Sequence, residues 1–204
     1  DKKTTQVNKI QNKSLELSLL LSLPASIALI IGSKEIVSAL FGYGSFTEND
    51  IKQTSLALRY FGYGIPAFAI LKVFANFFFA RDNTMIPFKV SSIVVIINIA
   101  VSVLFFKQIG FIIIPIATTL SAWIGIFCYL YLLLKIGYLK TDHEFLINSV
   151  KIVFSTTIMS YVFHNSLNYF AKNLSYSSDY KILYLLFIVI FVALLYFLIC
   201  YFLK

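Results

Sequence analysis

The sequence predicts an all-α polytopic membrane protein with six transmembrane helices, and three observations carry that prediction. Of 204 residues, 59% are hydrophobic and 13% charged, where a soluble domain carries roughly 45 to 50% and about 25%. Apolar runs of about 20 residues, enough to cross a hydrocarbon core, recur along the chain. Seventeen Lys and Arg residues face nine Asp and Glu, and the cations mostly sit between those runs, where loops meet anionic lipid heads. The formal charge of +8 therefore does not read as nucleic-acid binding, because no basic cluster is interleaved with aromatics on a polar domain.

Residues 1–14 are polar and basic, with Lys2, Lys3, Lys9 and Lys13, and read as a cytoplasmic connector or amphipathic start. Leu15 to Ile31 is the first span, interrupted at Gly32-Ser33, and Ile36 to Phe41 resumes as a short piece at the far interface. Phe41 to Phe46, FGYGSF, is a glycine-punctuated turn with aromatics suited to the headgroup region. Thr47-Glu48-Asn49-Asp50 has the spacing in which a hydroxyl caps a helix and a carboxylate reaches back to its start. The helix that begins there runs through Arg59 to Ala80, with a kink predicted at Gly62, Gly64 and Pro66, since proline removes one backbone hydrogen bond.

Arg81 to Met85 forms a turn, and Pro87 suits the first turn of the next span, Phe88 to Phe106. Lys107, Gln108 and Gly110 make a tight loop before Phe111 to Leu134, which completes a four-helix part over residues 15–134. Residues 135–144 form a polar cytoplasmic loop. Residues 145–204 hold the two terminal helices, Phe145 to Phe163 and Ile182 to Leu203, with His164 to Lys181 as the longest connection. An even number of crossings puts both ends on one side. That side carries ten cations (Lys2, Lys3, Lys9, Lys13, Arg81, Lys89, Lys135, Lys140, Lys151, Lys204) and the other six (Lys34, Lys52, Arg59, Lys107, Lys172, Lys181), which places the ends in the cytoplasm. The chain opens on Asp1 with no signal-peptide pattern and reads as a segment of a longer protein.

Within the spans, Lys72 is the conspicuous residue. It lies nine positions before Arg81, about 13 Å into a core about 30 Å thick, and a cation at that depth is costly enough to be a functional candidate. Asn76 stands one turn along on the same face. In the next helix Asn98 stands at matching depth with Ser91 and Ser102 on its face, so Lys72, Asn76 and Asn98 are candidates for one polar interior. The alternative for Asn98 and the serines is interhelical hydrogen bonding alone. Arg81 and Asp82 are read either as a positive-inside anchor with a local charge pair or as part of a gate. His143 and His164 are isolated loop residues without metal spacing. Trp123, Tyr138 and Tyr180 read as packing or interfacial anchors. Cys128 and Cys200 lie in apolar runs as small buried residues, and no cofactor is implied. No H-E-x-x-H, G-x-S-x-G or phosphate-binding glycine loop occurs, which favours transport or scaffolding over catalysis.

The run FGYGSF followed by GIPAFAILKVFANFFFARDNTMIPFKV resembles the MurJ (MviN) family of lipid II flippases, within the multidrug/oligosaccharidyl-lipid/polysaccharide exporter superfamily. Gly64, Pro66, Ala67, Lys72, Val73, Phe78, Ala80, Arg81, Thr84 and Pro87 match its pattern; Asp82, Asn83 and Ile86 stand where it has Gln, Asp and Thr. The resemblance is strong from about Leu17 to Leu134. It implies that the six spans are the second lobe plus two C-terminal helices of a fourteen-helix transporter of the bacterial inner membrane. It also implies that the substrate is lipid II, the undecaprenyl-linked peptidoglycan precursor, that a cationic cavity shared with an N-terminal lobe takes its headgroup, and that residues 145–204 contribute a lipid-tail groove. Arg81, Asp82, Asn83, Thr84 and Pro87 then form a cytoplasmic turn or gate. Expected partners are membrane lipids and division or wall-synthesis proteins. A multidrug or O-antigen exporter and a non-transporting scaffold for cell-wall synthesis remain as alternatives.

Overall fold

The computed structural model describes residues 2–203, with side-chain surroundings from Gln6 onward, and Asp1 and Lys204 lie outside the described residues. The chain is helical almost throughout: α1 (Lys2–Phe41), α2 (Glu48–Phe79), α3 (Met85–Ile109), a 3-10 turn (Gly110–Ile112), α4 (Ile113–Ile136), α5 (His143–Tyr169) and α6 (Lys181–Phe202). By length and composition, five continuous helical stretches among the described residues can cross a membrane, against the six separate spans expected. The difference lies at Met85–Ile136, one stretch of 52 residues. Its apolar pattern carries on through the 3-10 turn, and Gly110, with φ 74°, reverses the chain there. α3 and α4 then lie side by side, as the Asn98–Thr118 hydrogen bond across the reversal shows.

The helices pack in the order α3, α4, α2, α1, α5, α6, with α1 also touching α6. Two apolar cores result. One joins Leu15 of α1 to Phe74, Phe77 and Phe78 of α2, Val90 of α3, and Ile126, Tyr129 and Leu133 of α4. The other joins Ala39 at the far end of α1 to Met159 and Phe163 of α5 and to Leu185, Ile188, Val192 and Tyr196 of α6. α1 is thus the shared element. Close approach between helices is bought with small side chains: a Cβ on Gly62 would lie 3.1 Å from Ile30, and one on Gly125 only 2.6 Å from Val94. The outward faces of α3 and α6 stay apolar and exposed, for example Ile96, Val103, Leu104, Phe187, Leu194 and Tyr201.

Several sequence expectations change. The predicted break at Gly32-Ser33 is absent, because α1 is α-helical through it and the Phe163 ring packs where a Gly32 Cβ would stand. The segment expected to be a connector or a helix start is, over its described part, the first turns of α1, and Gln11 and Asn12 in it are buried rather than solvated. His164 belongs to α5, which runs on to Tyr169 rather than ending at Phe163, and its ring bonds Asn168 one turn along (3.0 Å). The Thr47–Asp50 capping box is present as expected, with Asp50 N–H donating to Thr47 Oγ1 (3.3 Å) and Thr47 N–H to Asp50 Oδ2 (2.9 Å).

Candidate functional site

α2 remains α-helical across Gly62, Gly64 and Pro66. Pro66 has no N–H to give the carbonyl four residues back, that of Gly62, and Ser26 of α1 supplies the missing donor at 2.8 Å in a buried contact. Neighbouring carbonyls are gripped in the same manner. Thr119 Oγ1 of α4 donates to the Tyr60 carbonyl (2.8 Å), Trp123 Nε1 to that of Tyr63 (3.1 Å), and Arg59 Nε of α2 itself to that of Ile30 (3.1 Å). Trp123, read from sequence as a packing residue or interfacial anchor, is one of these donors. The three carbonyls of α2 near its proline are therefore bonded from both flanking helices.

Beyond that segment α2 exposes Lys72 and Asn76, one turn apart. Asn76 shares a cavity of about 790 Å³ with Asn8, Gln11 and Ser14 of α1 and with Arg81. Asn98 lies elsewhere. Its Nδ2 donates to Thr118 Oγ1 of α4 (2.9 Å), and Ser102 Oγ donates to its Oδ1 at 3.5 Å. The interior expected to join Lys72, Asn76 and Asn98 does not form, because α4 stands between α2 and α3 and occupies the polar face of α3.

The α2–α3 turn is built around Arg81. Its Nη1 donates to the Phe77 carbonyl (2.6 Å), and the guanidinium stacks 4.2 Å from the centre of the Tyr138 ring. In the amide orientation that satisfies both its atoms, Gln11 accepts from Arg81 Nη1 and Nη2 (2.8 and 3.0 Å) and donates to the Tyr138 carbonyl (3.1 Å). The expected Arg81–Asp82 charge pair does not form; the ion pair found among the described residues is Lys13–Glu16 at 3.0 Å. Asp82 instead takes the left-handed conformation, φ 56°, which small polar residues tolerate better than most. Asn83 ends α2 and starts α3: its N–H donates to the Phe78 carbonyl (3.0 Å) and its Oδ1 accepts from Ile86 N–H (3.2 Å). Thr84 precedes α3 with no side-chain cap, and Pro87 is buried in its first turn.

Just beyond Tyr138, Asn12 Nδ2 donates to the Lys140 carbonyl (3.1 Å), and Asp142 caps α5 by accepting from Phe145 N–H (2.8 Å). That backbone bond, and then the Asn12 side chain, hold the Asp142 carboxyl below its ordinary range.

At the opposite end of the bundle stands a residue that the sequence reading had only counted as a loop cation. Lys181 is 1% exposed. Its Nζ donates to the carbonyls of Gly42 (2.6 Å) and Tyr176 (3.0 Å) and lies 4.2 Å and 5.0 Å from the ring centres of Tyr43 and Tyr176. Gly42 has no room for a side chain, since a Cβ would come 2.5 Å from the Ser38 carbonyl oxygen as well as 3.1 Å from Nζ. The available signal was a lysine directly before the most apolar run, flanked by tyrosines; Gln11 carried no signal at all.

Long apolar helices, isolated cations and carbonyls satisfied from neighbouring helices define a multi-pass helical membrane protein. Residues 1–185 match the family described as Lipid II flippase MurJ, and the chain belongs to that family, one of transporters rather than enzymes. Among curated relatives, the probable lipid II flippase MurJ of Rhizobium tropici is 31% identical over 150 residues, covering 74% of this chain and 28% of that protein. The counterpart in Rickettsia prowazekii is 36% identical over 115 residues, 56% of this chain and 23% of its own length. A solved structure titled lipid II flippase MurJ, inward closed conformation, superposes with a TM-score of 0.76 at 25% identity, over 96% of this chain and 38% of that one. This chain thus spans between about a quarter and two fifths of the length of these relatives.

Proposed function

We propose that this chain supplies the second-lobe and terminal helices of a lipid II flippase that works by alternating access. α3 and α4 then cross the bilayer separately, giving six crossings, with both ends and the Arg81 turn in the cytoplasm. One observation carries the reading: Lys72 is exposed on an apolar helix of this chain and has no ion-pair partner among the described residues. In a bilayer such a cation is tolerated facing a wet cavity or an anion. The family match supplies an anion in the pyrophosphate of the lipid-linked precursor, and fixed cations offset the water that it loses on crossing.

The same reading gives the terminal helices the lipid tail. Pro24 and Ala25 of α1, Met159 and Phe163 of α5, and Val192 and Tyr196 of α6 line an apolar cavity of about 220 Å³, a surface suited to a polyprenyl chain. The test is Lys72→Ala and Lys72→Arg in the full-length flippase, followed by lipid II exposure at the outer face. We expect normal insertion for both, at least about ten-fold slower flipping for Lys72→Ala, equivalent to some 1.4 kcal/mol, and partial rescue by Lys72→Arg. Unchanged flipping in Lys72→Ala refutes the role.

A further inference from the structure

We propose that the cavity at the Lys181 end of the bundle is a binding site for a small zwitterion, the free end of a peptide or amino acid that carries both an ammonium and a carboxylate. The cavity measures about 680 Å³ and lies between the end of α1, the start of α2 and the α5–α6 connection. Two lysines, Lys34 and Lys52, and two carboxylates, Glu35 and Glu48, line it. Glu48 and Lys52 are four residues apart on α2 in the order that favours pairing along a helix. Even so, none of the four makes an ion pair within 4.0 Å, the pair found among the described residues being Lys13–Glu16. Two opposite-charge pairs are therefore left open across one cavity.

Two further features mark a built site rather than a solvated surface. Ser38, 5% exposed, belongs to the cavity wall, and its buried hydroxyl has no hydrogen-bond partner, a costly state for a polar group inside a protein. The wall is also fixed in advance. Tyr176 lines the cavity, its hydroxyl donates to the Phe46 carbonyl (3.0 Å), and its own carbonyl is held by Lys181. The four charged groups sum to zero. A ligand with one charge gains from the two groups of opposite sign and is repelled by the two of its own sign, whereas a zwitterion meets a partner for each of its groups. The site contains no arginine for bidentate capture of a phosphate, which favours a carboxylate over a phosphoethanolamine lipid head.

The test is a titration of the full-length protein in detergent with alanyl-alanine, its N-acetyl form, its C-terminal amide and glycerophosphoethanolamine, read by calorimetry. Alanyl-alanine is expected to bind, with each blocked form about ten-fold weaker or worse, a gap of some 1.4 kcal/mol. In Lys52→Met the gap between the free dipeptide and its amide should shrink, and in Glu48→Gln the gap between the free dipeptide and its acetylated form. Both positions are exposed, so folding is not at stake. Absence of dipeptide binding, equal binding of all three forms, or tighter binding of glycerophosphoethanolamine overturns the proposal. Binding is read without transport, so failure of the flippase reading leaves this result unaffected.

Discussion

The two ends of the bundle hold a cation by the same means and to different effect. At one end Arg81 rests on the Tyr138 ring and donates to the Phe77 carbonyl and to Gln11; at the other Lys181 lies among the rings of Tyr43 and Tyr176 and donates to two carbonyls. Neither uses a carboxylate within ion-pair distance. Lys181 is sealed and bridges the α1–α2 turn to the α5–α6 connection. Arg81 lines a cavity of about 790 Å³ and, with five donors in its fork, still has some unused. Ring faces and carbonyl dipoles can hold a cation without neutralising it. Burial then decides whether the cation is a sealed fastening or is left facing an open cavity.

Three changes break or sharpen that comparison. The largest effect should come from Lys181→Met, which leaves the Gly42 and Tyr176 carbonyls without their donor and should cost about 2 to 3 kcal/mol. Denaturation of the solubilised protein in sodium dodecyl sulfate measures it, and an unchanged midpoint would show that Lys181 fastens nothing. Arg81→Lys keeps the charge but loses the planar stack and the fork on Gln11, which should cost about 1 kcal/mol by the same measurement. A loss equal to that of Lys181→Met would mean that the two ends do not differ in kind.

The smallest effect is expected at Asp142. Its folded pKa lies below its unfolded value, so its cap contributes fully above the ordinary carboxylate range and is lost as pH falls through the folded pKa. Hydrogen exchange at the Phe145 amide, taken relative to its intrinsic rate at each pH, should stay slow through the ordinary carboxylate range and accelerate only below it. Acceleration already between pH 5 and 6 would contradict that sign.

Local features of the sequence were legible because their cause is local. The Thr47–Asp50 cap, the turn at residues 81–85 and the placing of Lys72 and Asn76 one turn apart on α2 each follow from neighbours within a few positions. What could not be read was which helix lies beside which. Lys72 and Asn98 stand at matching depth along the chain, yet α4 separates their helices and Thr118 takes the Asn98 amide. Pro66 announces a freed carbonyl, but nothing near it in sequence points to Ser26, 36 residues away from Gly62. Gly32 looked like an interruption because its use, contact with the Phe163 ring, comes from a helix more than a hundred residues later. Lys181 was misread for the converse reason: a lysine at the mouth of an apolar run ordinarily reaches for water, and here the α1–α2 turn and the α5–α6 connection close over it.

The length of α1 has a consequence of its own. From Gln11, which holds Arg81, to Phe41, beside the Gly42 carbonyl that receives Lys181, the helix runs 30 residues, or about 45 Å at 1.5 Å per residue. A bilayer with its headgroup layers measures about 40 to 45 Å. An unbroken α1 therefore acts as a ruler, setting the two cation seats one full membrane thickness apart, so a residue inserted within it would push one of them out of register with its surface.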